Sequence, residues 1–66
     1  MSELKATRER LYELMRRAGD VAFWLRPERW TVYRALEQAA SNERNPRNLS
    51  LLLDQMEAIL VELEAL

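Results

Sequence analysis

The sequence contains no cysteine and no histidine among its 66 residues. Without cysteine, disulfides, zinc thiolate sites, iron–sulfur clusters and a cysteine nucleophile are excluded. Without histidine, the usual proton shuttle near neutral pH, the commonest transition-metal ligand and a serine–histidine catalytic pair are excluded as well. We therefore expect no metal, no cofactor and no catalytic residues.

Glycine occurs once and proline twice, while valine, isoleucine and threonine together fill six positions. These counts leave little material for turns or for a β-sheet, and a glycine-rich phosphate loop is excluded. Alanine, glutamate, lysine, leucine and arginine fill 39 of the 66 positions. That share exceeds the roughly half that is typical of long helices. The sequence therefore predicts an all-α fold in a single helical domain that spans residues 1–66. We expect a small three-helix bundle, or a helical hairpin, with a long amphipathic C-terminal helix.

Long apolar runs are also missing, because no stretch of about 18 or more apolar residues is present. The N-terminal segment Met1–Lys5 is polar and does not resemble the apolar core of a signal peptide. We therefore expect a cytoplasmic protein that makes no contact with a membrane. The single lysine beside nine arginines favours an origin in a GC-rich bacterial or phage gene.

The net charge of −1 conceals an uneven distribution. Residues 1–34 carry eight basic and five acidic side chains, whereas residues 35–66 carry two basic and six acidic ones. The basic residues of the first half are interleaved with glutamates, and Glu13 and Arg17 stand at the spacing of a pair along one helix. Groove binding needs clustered basic side chains on one exposed face, so nucleic acid is not expected as a partner.

Two boundaries divide the chain into three predicted helices. Arg26-Pro27 begins the second helix, because the residue before proline is pushed out of the α region and proline suits the first turn. The polar stretch Ser41–Pro46 ends it, so this helix is predicted over residues 27–42. The third helix is predicted over residues 46–65, with Asn45 as its N-cap.

The pattern of apolar residues allows two different ends for the first helix. With Ser2 as N-cap, the helix ends at a break near Gly19 and spans residues 3–18, or it continues over residues 3–25. A continuous helix would place Phe23 on the face opposite to the first apolar residues, where it would need a second partner surface. We therefore favour the break.

The third predicted helix offers a broader apolar face than a small bundle needs, with apolar residues at alternating steps of three and four. Its neighbours are short, and a chain of this size is marginal without disulfides or metals. We therefore expect the face to meet a second copy in a two-fold dimer, a homodimeric helical bundle. A monomeric three-helix bundle and a face for a different protein are the alternatives. The predicted self-association residues are Leu49, Leu52, Leu53, Met56, Ile59, Leu60, Leu63 and Leu66.

Four of the five aromatic residues lie between Phe23 and Tyr33, next to several arginines. Tryptophan, tyrosine and arginine are the residue types enriched at interaction hot spots. The alternative is structural: the rings fill the centre of the bundle and the arginines lie beside them. The candidate docking residues for another protein are Trp24, Arg26, Arg29, Trp30 and Tyr33.

The sequence as a whole favours a small non-enzymatic protein–protein interaction module: an adaptor, an inhibitor or a regulatory subunit. Its expected partners are a second copy, bound through the C-terminal helix, and another protein. Nothing places two carboxylates in an apolar pocket where they could act as acid and base. The alternative is a dimeric DNA-binding transcription regulator that uses the basic N-terminal half.

Overall fold

The structure is a computed structural model that describes residues 3–66. These residues form α1 (Glu3–Ala18), a 3₁₀ helix (Phe23–Leu25), α2 (Pro27–Asn42) and α3 (Pro46–Glu64), and none of them lies in a strand. The predicted all-α fold and three-helix bundle are therefore confirmed.

Helix α1 ends at Ala18, so the predicted break is present and the continuous helix is not formed. The backbone N–H of Gly19 donates to a carbonyl oxygen three residues earlier, 3.2 Å away, and Asp20 donates in the same way over 3.1 Å. Gly19 does not adopt the positive φ of a left-handed helix cap. Asp20 does not cap the next helix either, because the N-cap position is Ala22 and has no side-chain hydrogen bond.

Prolines begin both later helices. Pro27 stands in the first turn of α2, where no side chain caps the helix. At α3 the side-chain oxygen of Asn45 accepts hydrogen bonds from the backbone N–H groups of Arg47 at 2.9 Å and Asn48 at 3.3 Å. This is the predicted N-cap, and it satisfies donors that the helix leaves free. The predicted N-cap of the first helix, Ser2, lies outside the described residues.

Helix α3 lies between the other two helices and packs against both. It runs parallel to α1, because Arg10 pairs with Asp54 near the middle of both helices and Arg17 pairs with Glu64 near their ends. Helix α2 precedes α3 by a three-residue connection and runs antiparallel to it. The arrangement brings the end of α1, the 3₁₀ helix, the start of α2 and the end of α3 to one end of the bundle.

The buried core consists largely of α3. Six of the eight predicted self-association residues are at most 7% exposed within the single chain, so the folded monomer does not present them to a partner. The reason is that the short helices α1 and α2 flank α3 on both sides and cover most of its apolar face. Leu52 is partly buried against the core, and Leu66 is 63% exposed. The six buried residues are Leu49, Leu53, Met56, Ile59, Leu60 and Leu63.

Candidate functional site

Three aromatic rings form a cluster where the 3₁₀ helix meets α2. The ring centroid of Phe23 lies 4.8 Å from that of Trp30 and 5.2 Å from that of Tyr33. Trp30 and Tyr33 stack with their centroids 6.2 Å apart. These separations lie in or near the range of favourable aromatic pairs. The cluster therefore fastens the 3₁₀ helix onto the first turns of α2.

An open apolar cleft of about 350 Å³ lies beside this cluster, and we call it the aromatic cleft. The end of α1, the 3₁₀ helix and the start of α2 together form its walls. The indole of Trp24, one of the lining side chains, is 79% exposed. The residues that line the cleft are Ala18, Val21, Phe23, Trp24, Pro27 and Trp30.

The five candidate docking residues lie in different environments in the structure. Trp24 and Trp30 both line the cleft, and Arg26 is exposed between them in the chain. Arg29 is half-buried and pairs with a glutamate of α3 at 3.4 Å. Tyr33 is 0% exposed, so its assignment as a docking residue needs correction. Its ring faces the core because it packs under Phe23 and against α3.

Several residues of the cleft are absent from the sequence-based assignment. Val21, Phe23 and Pro27 form much of its wall, and Leu25 is 49% exposed beside it. The available signal was the run of apolar residues between the break at Gly19 and the proline, which fits neither a helical nor a strand period. A short apolar run without a period is hard to assign to a face, because its backbone geometry is not regular.

The hydroxyl of Tyr33 is the one buried side-chain polar atom without a hydrogen-bond partner among the described residues. Burial raises the pKa of Tyr33, and the nearby carboxylate of Glu37 raises it further. That carboxylate also accepts a hydrogen bond from Arg34 at 3.2 Å, which occupies part of its capacity. The phenol is therefore held neutral inside the core and has no surface from which to act on a substrate.

The basic first half of the chain pairs with the acidic second half. Arg10 contacts Asp54 at 2.9 Å and Glu57 at 3.3 Å, while Arg17 contacts Glu57 at 3.9 Å and Glu64 at 2.6 Å. The hydrogen bond with Glu64 raises the pKa of Arg17 and lowers the pKa of Glu64. Basic side chains of the first half thus form ion pairs with acidic side chains of the second half along the contact between α1 and α3.

The predicted pairing of Glu13 with Arg17 along one helix is replaced by two other contacts. Glu13 pairs with Arg16 at 3.3 Å, three residues away on the same helix. Arg17 turns instead towards α3, as described above. The long side chain of an arginine can reach a carboxylate on a neighbouring helix. The spacing of charges within one helix therefore does not predict which carboxylate it pairs with.

A second groove of about 420 Å³ runs along the surface of α1. One helix alone supplies its lining, so it lacks facing walls. Within residues 3–66, no group of three or more carboxylates is arranged to hold a metal ion, and no helix has the length and apolar character to cross a membrane. The lining residues of this groove are Leu4, Lys5, Arg8, Glu9 and Tyr12.

Comparisons of the chain with protein-family models, with curated proteins and with solved structures found no match. The function is therefore inferred from the surface of the molecule itself. Of the two grooves, the aromatic cleft has walls from three elements and an exposed indole at its edge.

Proposed function

We propose that this protein is a small non-enzymatic interaction module, an adaptor, inhibitor or regulatory subunit, that docks onto a protein through the aromatic cleft. The observation that supports the proposal is the 79% exposure of Trp24 beside an apolar cavity of about 350 Å³. Burying a large apolar side chain is worth about 1.5–3 kcal/mol, and tryptophan dominates many hot spots. A cytoplasmic location belongs to the same proposal, since a chain without cysteine suits a reducing compartment.

The side chain of Trp24 contributes little to the packing of the fold, so it remains available to bind a partner. Among the described residues the aromatic contacts join Phe23, Trp30 and Tyr33, and Trp24 is not part of them. Trp30 has a double role, because it lines the cleft and also packs in the ring cluster. Truncation of Trp30 would therefore disturb stability and binding together, whereas truncation of Trp24 tests binding alone.

A pull-down with the immobilised chain as bait tests the proposal. We compare Trp24→Ala with Leu51→Ala, because Leu51 is 57% exposed on α3 at the other end of the bundle and serves as a matched control. The wild type and Leu51→Ala are expected to capture the same protein, and Trp24→Ala is expected to lose it while its helical circular dichroism stays unchanged. Capture that survives Trp24→Ala would contradict the proposal, and so would a wild type that binds neither another protein nor a second copy of itself.

The alternative, a DNA-binding regulator, has less support. Its basic half would have to present arginines to phosphates, but Arg10 and Arg17 are engaged with carboxylates of α3. From Asn48 onward the chain has no lysine or arginine. We therefore expect no salt-dependent retardation of duplex DNA, the behaviour that release of counterions from phosphate contacts would produce.

A further inference from the structure

The aromatic end of the bundle has a projecting part and a cavity on the same surface. Trp24 and Leu25 are 79% and 49% exposed on the 3₁₀ helix, and the aromatic cleft opens directly beside them. In a two-fold dimer the same patch of each subunit meets the other, so a protrusion next to a cavity can match itself. The shape of this end therefore suits a second copy of the same surface.

The charges around the cleft show the same self-complementarity. Within residues 3–66, Arg26 pairs with no carboxylate, and Glu28 and Asp20 pair with no basic group. The guanidinium of Arg26 donates only to the carbonyl oxygen of its neighbour Leu25, at 2.9 Å. In contrast, Arg29 in the first turn of α2 forms an ion pair with a carboxylate of α3. Both signs thus stand without an ion-pair partner at positions next in the chain to Val21 and Pro27, which line the cleft.

Mixed charge of this kind selects among possible occupants of the cleft. A uniformly acidic partner would face Glu28 and Asp20, and a uniformly basic partner would face Arg26, so either would meet repulsion that costs affinity. A second copy brings both signs: Arg26 for an acidic group of the first copy, and Glu28 for its Arg26. A two-fold axis that passes between Arg26 and Glu28 places each of them opposite its counter-charge on the other subunit.

We propose that the aromatic cleft of each chain receives Trp24 of a second copy, in a two-fold dimer in which Arg26 and Glu28 pair across the interface. The inference rests on the proposed function, because it names the protein that the cleft binds. It relocates self-association from the apolar face of α3, which the chain itself covers, to the end of the bundle. Burial of two indoles per dimer would also add stability to a chain with no disulfide.

Sedimentation equilibrium at micromolar concentration measures this dimer. The wild type and Leu51→Ala are expected to sediment as dimers. Trp24→Ala is expected to raise the dissociation constant by roughly 30-fold or more, the scale of a hot-spot tryptophan, and the symmetry removes two such side chains at once. A wild type that remains monomeric, or a dimer that Trp24→Ala leaves unchanged, overturns the inference.

A charge exchange tests the two-fold geometry independently of the tryptophan. Arg26→Glu places like charges across the axis, and so does Glu28→Arg, so each variant alone is expected to be monomeric. Mixed in equal amounts, the two variants place two glutamates opposite two arginines and are expected to form a heterodimer. The double variant Arg26→Glu/Glu28→Arg is expected to restore the homodimer. Failure of both the mixture and the double variant to associate overturns the proposed pairing.

The results also separate this inference from the proposed function. A chain that stays monomeric but captures another protein only when Trp24 is present overturns the dimer and leaves the docking role standing. A chain that neither dimerises nor captures a protein overturns both. Because Trp24, Arg26 and Glu28 are all exposed, these variants are expected to fold, and circular dichroism of each one checks this.

Discussion

Helix α3 and the segment Phe23–Trp30 are both rich in large apolar side chains, but the chain covers them to very different extents. Six apolar residues of α3 are at most 7% exposed, whereas Trp24, Leu25 and Trp30 are 79%, 49% and 42% exposed. Helix α3 lies between two helices, while the 3₁₀ helix lies at one end of the bundle. Location among the elements, rather than apolar character, decides which surface remains for a partner.

The comparison also bears on how so short a chain completes a core. With α1 on one side and α2 on the other, the apolar face of α3 is buried without a second copy. At the end of the bundle, by contrast, the side chains of Trp24 and Trp30 remain exposed to solvent. An exposed apolar patch of this kind is typical of an interaction site.

The largest expected effect separates the two regions by stability. Leu60 is fully buried on α3, so Leu60→Ala is expected to lower the free energy of unfolding by about 2–5 kcal/mol, from lost burial and the cavity left behind. Trp24→Ala is expected to change it by less than about 0.5 kcal/mol, as at exposed positions generally. Urea denaturation at low protein concentration, where a dimer adds no stability, measures both. Equal losses for the two variants would show that the regions do not differ in this way.

A smaller effect concerns the residue that the two regions share. Tyr33 packs against the buried ring of Phe23 and the partly exposed ring of Trp30, and it lies in the core with its hydroxyl unpaired. An unsatisfied buried polar group costs about 1–3 kcal/mol, so Tyr33→Phe is expected to stabilise the fold by about 1 kcal/mol. Tyr12→Phe is the control, because Tyr12 is 57% exposed, and it is expected to have no effect. A destabilised Tyr33→Phe would instead indicate that the hydroxyl donates to Glu37.

The same phenol gives a pH dependence on the alkaline side. Because the pKa of Tyr33 is raised in the folded state, the fold binds this proton more tightly than the unfolded chain does. The wild type should therefore lose stability as the pH rises above about 10, the usual tyrosine pKa. Tyr33→Phe should lack this part of the loss, and Tyr12→Phe should retain it. Denaturation midpoints between pH 8 and about 11 measure the difference; parallel curves for the wild type and Tyr33→Phe would argue against it.

The sequence was sufficient to predict α2 and α3 because local signals mark their starts. Pro27 and the pair Asn45-Pro46 act through their own backbone geometry, so no knowledge of the rest of the fold is needed. The break after Ala18 is weaker in the sequence, since one glycine is tolerated in a helix at about 1 kcal/mol. Elements whose limits depend on single residues were therefore predicted best.

The period of apolar residues along α3 does not predict which surface packs against its apolar face. The spacing on α3 predicts that Leu53 and Leu60 are buried, but not whether another helix of the same chain or a second copy buries them. Trp24 and Tyr33 stand nine positions apart in the sequence, yet one is exposed and the other is fully buried. Trp24 belongs to the 3₁₀ helix, whose apolar run has no regular period, whereas Tyr33 lies on the buried face of α2.

The smallest expected effect lies along the contact that keeps α3 covered. The hydrogen bond from Arg17 lowers the pKa of Glu64 in the fold, so this carboxylate stabilises the fold above its usual pKa of 4.5. That contribution is lost as the pH falls through the lower folded-state value. The stability difference between the wild type and Glu64→Gln should therefore be present at neutral pH, shrink in acid and decrease with added salt.

Arg17→Gln and the double variant Arg17→Gln/Glu64→Gln complete the thermodynamic cycle, and the coupling between the two residues is the quantity to follow. Because both side chains remain in contact with solvent, the coupling should be far smaller than the loss from Leu60→Ala. A coupling that stays constant from neutral pH to acid would show that the charge of Glu64 does not contribute to the contact between α1 and α3. A coupling that disappears in acid would show that charge helps to hold α1 over the face of α3, the coverage that distinguishes this face from the aromatic cleft.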